Sequence, residues 1–233
     1  MQKQKAQKLL EEVKKTYNSI AGEFSQSRQF IGKEFDFFKP YLHEHQNIAD
    51  LGCGNGRLLL FLEKTLKKFH YTGIDNSENL IKEAKKLHPN HTFTLGDQLQ
   101  IPLPDGQSDL LFNIRAFHHI PDKKYRLQAL HEMKRILKTD GILILTVWNL
   151  WQKKYWKELG KALLKSIITL GQYDFRDTLI PWNKKEWRYY HAFTESELKK
   201  LIKKSGFELI LSIPRTEQKR LGIHDYIIIA KKA

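Results

Sequence analysis

At 233 residues the chain is long enough for one α/β domain with a substantial core. Forty Lys and Arg against 26 Asp and Glu leave a formal charge of +14, which favours polyanionic partners, nucleic acid first; lysines scattered over nearly every helix by an A- and T-rich genome would give the same balance. One cysteine, Cys53, excludes an internal disulfide, and no apolar run is long enough to span a bilayer, so a soluble cytoplasmic protein with no membrane partner is expected.

Residues 5–21 read as a helix, because Leu9, Leu10, Val13, Tyr17 and Ile20 recur at three- and four-residue intervals. Residues 30–42 give a second helix with an aromatic face, stopped near Pro40. From Ile48 the pattern alternates: strands at 48–51, 71–75, 92–95, 108–114 and 142–148, with helices at 58–68, 79–87 and 123–137. Such alternation predicts right-handed βαβ crossovers and a doubly wound, mostly parallel α/β sheet. Thr194 opens a helix over 194–205, with Glu197 placed for a capping box and Gly206 as the stop, and strands at 207–213 and 224–230 follow. The expected organisation is one domain, with N-terminal helices (1–45), a cofactor-binding core (46–148), a helical insertion on the substrate side after the fifth strand (149–190) and a C-terminal helix and hairpin (191–233).

In the insertion Trp151, Tyr155, Trp156, Tyr173, Phe175, Trp182 and Trp187 interleave with Lys153, Lys154, Lys157, Lys161, Lys165, Arg176, Lys184 and Lys185. Lys154, Lys157, Lys161 and Lys165 share one helical face and Tyr155, Leu159, Leu163 and Ile167 another, the pattern of an amphipathic helix packed on the sheet. Ligands of open α/β sheets bind beyond the carboxyl ends of the strands, so the insertion is also placed to act as a lid. Aromatic and basic groups together suit stacked bases and phosphates.

The chemistry concentrates after the first strand, where Asp50-Leu-Gly52-Cys-Gly54-Asn-Gly56-Arg57 carries glycine at every second position. Glycines there permit positive φ and leave no Cβ between the loop and a ligand. A dinucleotide fingerprint is Gly-x-Gly-x-x-Gly; here the third glycine comes one position early, and the Asp50 carboxylate would sit badly beside a diphosphate. It suits a cationic, phosphate-free cofactor such as S-adenosylmethionine. Asp75, with Asn76 beside it, ends the second strand where an acid meets ribose hydroxyls; Asp97, with Gln98, ends the third, within reach of an adenine amino group. Each acid alone could merely cap the following helix.

With three acids at three successive strand ends, the chain resembles the class I S-adenosylmethionine-dependent methyltransferases, which implies a seven-stranded sheet and S-adenosylmethionine as cofactor. Tyr17, in the block Tyr17-Asn-Ser-Ile-Ala, and Asn113 join the expected cofactor set, and Arg28 is either the partner of the methionine carboxylate or a solvated arginine. After the fourth strand come Arg115, His118 and His119, where a histidine either serves as general base toward a hydroxyl or amine or only packs against the glycine loop. Metal binding is not expected, since these histidines have no cysteine or carboxylate at ligand spacing.

Val13 to Arg28, the glycine loop, Val147-Trp148, Pro181-Trp182 and Arg188-Tyr-Tyr-His191 together resemble the eukaryotic tRNA wobble-uridine carboxymethyl methyltransferases over nearly the whole chain. The resemblance implies a tRNA substrate carrying a carboxylate, a methyl-ester product and a small zinc-binding activator protein as a partner. Arg115, Arg188 or His191 would then hold the acceptor carboxylate. The competing expectation is a small-molecule O- or N-methyltransferase with His118 or His119 as base.

Overall fold

The computed structural model describes residues 1, 3–28, 30–170, 173–183, 186–213, 220 and 222–233; Lys184 and Lys185 of the basic insertion lie outside them. Strands near the middle of the chain are apolar on both faces, as a sheet covered on both sides requires. β1 (Asn47–Leu51), β2 (His70–Asp75), β3 (Thr92–Leu95), β4 (Ser108–Ile114) and β5 (Leu137–Trp148) pair in parallel. β8 (Phe207–Ser212) and β9 (Asp225–Lys232) complete a seven-stranded sheet of order β3-β2-β1-β4-β5-β9-β8, in which β9 runs antiparallel to both neighbours. This is the Rossmann-like fold of class I methyltransferases.

Alternate residues of the central strands enter opposite cores, the period-two consequence of the pleat. Leu143, Leu145 and Val147 pack with Leu130 and Met133 of α4 (Lys123–Ile136) and Leu198 and Ile202 of α6 (Glu195–Lys204). Ile144 faces the other way, toward Leu59 and Leu62 of α2 (Leu59–Thr65), Ile81 and Ala84 of α3 (Glu78–Leu87), and Phe35 and Phe38. β1 and β4 are neighbours whose connections leave in opposite directions, so a crevice opens beyond their carboxyl ends.

Several elements differ from the sequence reading. The first helix, α1, runs Lys3–Gln26, past the expected end at residue 21. The aromatic segment before β1 is a 3₁₀ helix, Lys33–Tyr41, with Pro40 inside it; proline cannot donate to an α-helical ladder. β5 begins at Leu137, directly after α4, and its pairing with β4 shifts register between Ser108 and Leu110, close to the positive φ of 64° at Asp140. The capping box is half made: the Thr194 hydroxyl accepts from the Glu197 amide, while the Glu197 carboxylate turns to Arg176 and His191.

The insertion holds α5 (Trp156–Ile168) and a β-hairpin, β6 (Asp177–Trp182) with β7 (Glu186–His191), that periodicity did not reveal. Only Ala162 of α5 is buried, and Leu163, Ile167 and Ile168 are 50, 64 and 71% exposed, so the apolar face does not pack on the sheet as expected. Among the described residues no helix is long and apolar enough to cross a membrane.

Candidate active site

A cavity lies over the carboxyl ends of β1, β2 and β4, roofed by α1 and by β7. Tyr17, Arg28, Asp50, Gly52, Gly54, Asp75, Asn76, Asp97, Gln98, Arg115, His118, His119 and Arg188 all line it. The helix α1 reaches this position through polar side chains: Asn18 Oδ1 accepts from the Ser77 hydroxyl (2.9 Å) and the Asn79 amide (3.1 Å), and Asn55 of the glycine loop donates to Ser25. Ile20 and Ala21 of the same block are buried.

The glycines have separate reasons. All three take positive φ, at 73° (Gly52), 58° (Gly54) and 80° (Gly56). A Cβ on Gly52 would meet the Ala116 Cβ at 2.3 Å, and one on Gly56 would meet His88 at 2.8 Å, so these two serve packing of the loop against the protein. Gly56 is absent from the cavity wall. Gly54 alone has room, with its nearest neighbour Phe24 at 3.5 Å, and its amide donates to Asp75 (2.9 Å).

The floor is acidic. Asp75 also accepts from the Ser77 amide (2.9 Å), while Ser77 itself caps α3, so the acid is not a helix cap. Asp50 is buried and accepts from the Tyr71 hydroxyl at 2.8 Å; burial, reinforced by the nearby Asp75 charge, raises its pKa to about 7. Exposed Asp97 accepts from the Leu99 amide at 2.7 Å. Asn113 lies beneath the wall, donating to Gln98 (2.6 Å) and accepting from the Phe117 amide (2.9 Å), and so orients Gln98 instead of lining the cavity.

Four arginines face this floor. Arg115, at φ 57°, is committed within the protein: Nε donates to Asp225 (2.6 Å) and Nη2 to Glu34 (2.8 Å). Arg57, a cavity residue not assigned to the cofactor from sequence, lies within the field of the same two acids; burial, then Arg115 and Arg28, push its pKa down to about 10. Among the described residues only Arg115 is ion-paired to them; Arg57 lies over the Phe35 ring at 5.7 Å. Arg28, Arg57 and Arg188 make no ion pair with a carboxylate among the described residues, and neither Arg28 nor Arg188 lies near Glu34 and Asp225 as Arg57 does. Arg188 is 4% exposed, its Nε has no hydrogen-bond partner, and its guanidinium lies over the rings of Trp182 (4.8 Å), Tyr190 (5.3 Å) and Trp148 (5.6 Å). Arg28 faces Phe24 and Trp182.

Neither histidine keeps a nitrogen free to take a proton. His119 Nδ1 lies 2.7 Å from the Tyr189 carbonyl, which only accepts, so Nδ1 carries the hydrogen and Nε2 accepts from the Tyr17 hydroxyl at 2.7 Å. Burial pushes its pKa down to about 3. His118 Nδ1 accepts from the Trp148 amide (3.1 Å), and burial followed by the proximity of His119 holds its pKa well below the usual imidazole range. His191 lies outside the cavity: fully buried, it bridges Asp177 (2.8 Å) and Glu197 (3.1 Å) and ties the hairpin to α6. Among the described residues no three His, Cys, Asp or Glu gather to hold a metal.

A family profile described as "Methyltransferase domain" matches residues 48–141. The chain is 29% identical to the tRNA (carboxymethyluridine(34)-5-O)-methyltransferase of Xenopus tropicalis over 81% of its own length, spanning about a third (36%) of that protein. It is 27% identical to the tRNA (carboxymethyluridine(34)-5-O)-methyltransferase of Schizosaccharomyces pombe, over 86% of this chain and 90% of the relative. Among solved structures, a S-adenosylmethionine-dependent methyltransferase from Methanosarcina mazei superposes with a TM-score of 0.69 at 26% identity, over 84% of this chain and 96% of that one. A Haloferax volcanii methyltransferase solved in complex with a methyltransferase activator superposes with a TM-score of 0.64 at 16% identity, over 94% of this chain and 97% of that one.

Proposed function

Since the chain is a class I S-adenosylmethionine-dependent methyltransferase related to the tRNA carboxymethyluridine methyltransferases, we propose that it methylates a carboxylate on a modified wobble uridine of tRNA. The observation that carries this reading is that two cavity arginines, Arg28 and Arg188, have neither an ion-paired carboxylate nor the Glu34 and Asp225 pair beside them. A cation as buried as Arg188 is costly unless an anion meets it, and Arg28 stands half-buried in the same cavity. The cofactor brings one carboxylate, on its methionine, and a carboxylate acceptor brings the second. We assign the first to Arg28 and the second to Arg188.

S-adenosylmethionine fits the acid floor and open Gly54, and when bound it supplies an activated methyl group on a sulfonium centre. Asp50 would face its positive end, Asp75 and Asn76 would hold its ribose, and Asp97 and Gln98 would meet its adenine. Arg188 binds and orients the acceptor, already ionised at neutral pH, so no base has to remove a proton, consistent with two histidines whose acceptor nitrogens are occupied. Trp148, Tyr190 and the roof helix exclude water around that pair. Arg115 and His191, bonded to protein carboxylates, are left out of acceptor binding.

The lysines of α5 would neutralise tRNA phosphates, and a small activator protein is a further proposed partner, by analogy with the Haloferax volcanii complex. Radiolabelled S-adenosylmethionine and tRNA lacking the ester test the function. Label should enter nuclease-sensitive material and be released by mild alkali as methanol. Alkali-stable label in RNA would keep the tRNA and reject the ester; label only in small molecules would reject both.

A further inference from the structure

Side chains alternate across β7, as the pleat requires: Arg188 and Tyr190 line the cavity, while Tyr189 and His191 leave from the other face of the strand. The second pair meets on one acid. Asp177, the residue opposite His191 in the hairpin, accepts at Oδ1 from the Tyr189 hydroxyl (2.6 Å) and from His191 Nδ1 (2.8 Å). His191 Nε2 reaches Glu197 in the first turn of α6 at 3.1 Å, and α6 is fixed to the sheet through buried Leu198, Leu201 and Ile202. Ionised carboxylates only accept, so a histidine fully buried between two of them must donate from both nitrogens. Arg126, 3.6 Å from each acid, and Arg176, 2.7 Å from Glu197, favour that ionised form.

We propose that His191 is a positioning residue for the methyl acceptor: as a buried imidazolium clamped between Asp177 and Glu197, it fixes the strand that presents Arg188 and Tyr190 to the cavity. The inference rests on the assignment of Arg188 to the acceptor carboxylate. Arg126, Arg176 and the imidazolium balance Asp174, Asp177 and Glu197 one for one, so the cluster closes without a residual charge. A neutral imidazole would turn a lone pair toward one of the two acids. Histidine suits the clamp because its two N–H groups diverge in one rigid plane and bridge acids on two elements, β6 and α6, whereas a glutamine offers one of those acids a carbonyl. Arg115, held directly by Glu34 and Asp225, has its charge met within the protein. Fixing the strand of Arg188 from its far face leaves that guanidinium open to an incoming anion.

The test uses the full chain with His191→Gln and with the double variant His191→Gln/Glu197→Gln. In the single variant a carbonyl meets the Glu197 carboxylate. In the double variant the amide introduced at position 197 donates to that carbonyl while its oxygen still accepts from Arg176, so both bonds return without either charge. Three readouts are needed. In the nitrogen-15 spectrum of the ligand-free protein at neutral pH both ring nitrogens of His191, identified by their loss in the double variant, should carry hydrogen. The Arg188 Nε–H resonance, identified by its loss in Arg188→Met, should be sharp in wild type, broadened in His191→Gln and sharp again in the double variant. In methyl transfer to carboxylated tRNA, His191→Gln should raise KM about 5- to 100-fold, the range for leaving one buried hydrogen-bonding group unsatisfied, with a smaller change in kcat, and the double variant should recover most of the loss. In an Arg188→Met background His191→Gln should add nothing further to KM.

A His191 ring with one bare nitrogen, a double variant no better than the single one, or KM losses that multiply with Arg188→Met would overturn the clamp. The Arg188 resonance reports on the strand whatever the acceptor is. Broadening in His191→Gln without ester formation by the wild type would thus retain the clamp and reject the carboxylate, and ester formation with an unaffected resonance would do the reverse.

Discussion

Replacing Arg188 by methionine should move stability and activity in opposite directions. Wild-type Arg188 is 4% exposed, has no carboxylate partner among the described residues and leaves its Nε unbonded. Desolvating an ion costs several kcal/mol even after relaxation. Three aromatic faces at 4.8 to 5.6 Å return part of that, at about 0.5 to 2 kcal/mol each. Methionine keeps most of the apolar contact, removes the buried charge and relieves its repulsion of Arg28. The ligand-free protein should therefore be as stable as wild type or up to about 3 kcal/mol more stable, which for a chain of this size raises Tm by up to roughly 10 °C. Activity should fall, because two charge-assisted hydrogen bonds to the acceptor carboxylate disappear. At about 1.5 kcal/mol or more each, that is about 10²-fold or more in kcat/KM. Thermal denaturation without ligands and initial rates on carboxylated tRNA measure the two effects. A variant that loses stability while keeping its rate would show that Arg188 is a structural residue and would remove the main support for the carboxylate reading.

Four further outcomes follow from the same geometry. Asp50 titrates near 7, so affinity for S-adenosylhomocysteine, measured calorimetrically, should rise between pH 6 and 7 as the carboxylate ionises and then level off; a flat profile would place the ammonium elsewhere. Between its unfolded pKa and 7 the native state holds a proton on Asp50 that the unfolded chain has released, so ligand-free stability should decline with rising pH over that window and Asp50→Asn should flatten the decline. Both cavity histidines titrate well below neutrality, so kcat at saturating cofactor should show no limb near 6.5; such a limb would restore a histidine base. Changing Lys154, Lys157, Lys161 and Lys165 to glutamine should lower the log-log salt slope of tRNA binding by roughly 0.7 to 0.9 per lost phosphate contact, and an unchanged slope would make them a solvated face.

The sequence by itself determined the sheet, because βαβ alternation depends on local periodicity and on crossover handedness, both written in consecutive residues. It also marked the acid floor, since Asp50, Asp75 and Asp97 each follow an apolar strand and parallel strands end on one side. Tertiary structure decided what the remaining polar groups do. Arg115 and Arg188 look alike along the chain; one meets Glu34 and Asp225 across 81 and 110 residues and the other meets only rings. His119 was a candidate base and His191 a candidate holder of the acceptor carboxylate, yet a carbonyl and a phenol fix one as a neutral acceptor in the cavity, while two carboxylates hold the other beneath the hairpin. The hairpin escaped notice because Glu186 to His191 carries aromatic and charged residues without apolar alternation, its buried side being polar and paired with α1, α4 and α6. The charge state of a buried group depends on partners far away in sequence, and no periodicity of a single chain encodes which partner arrives.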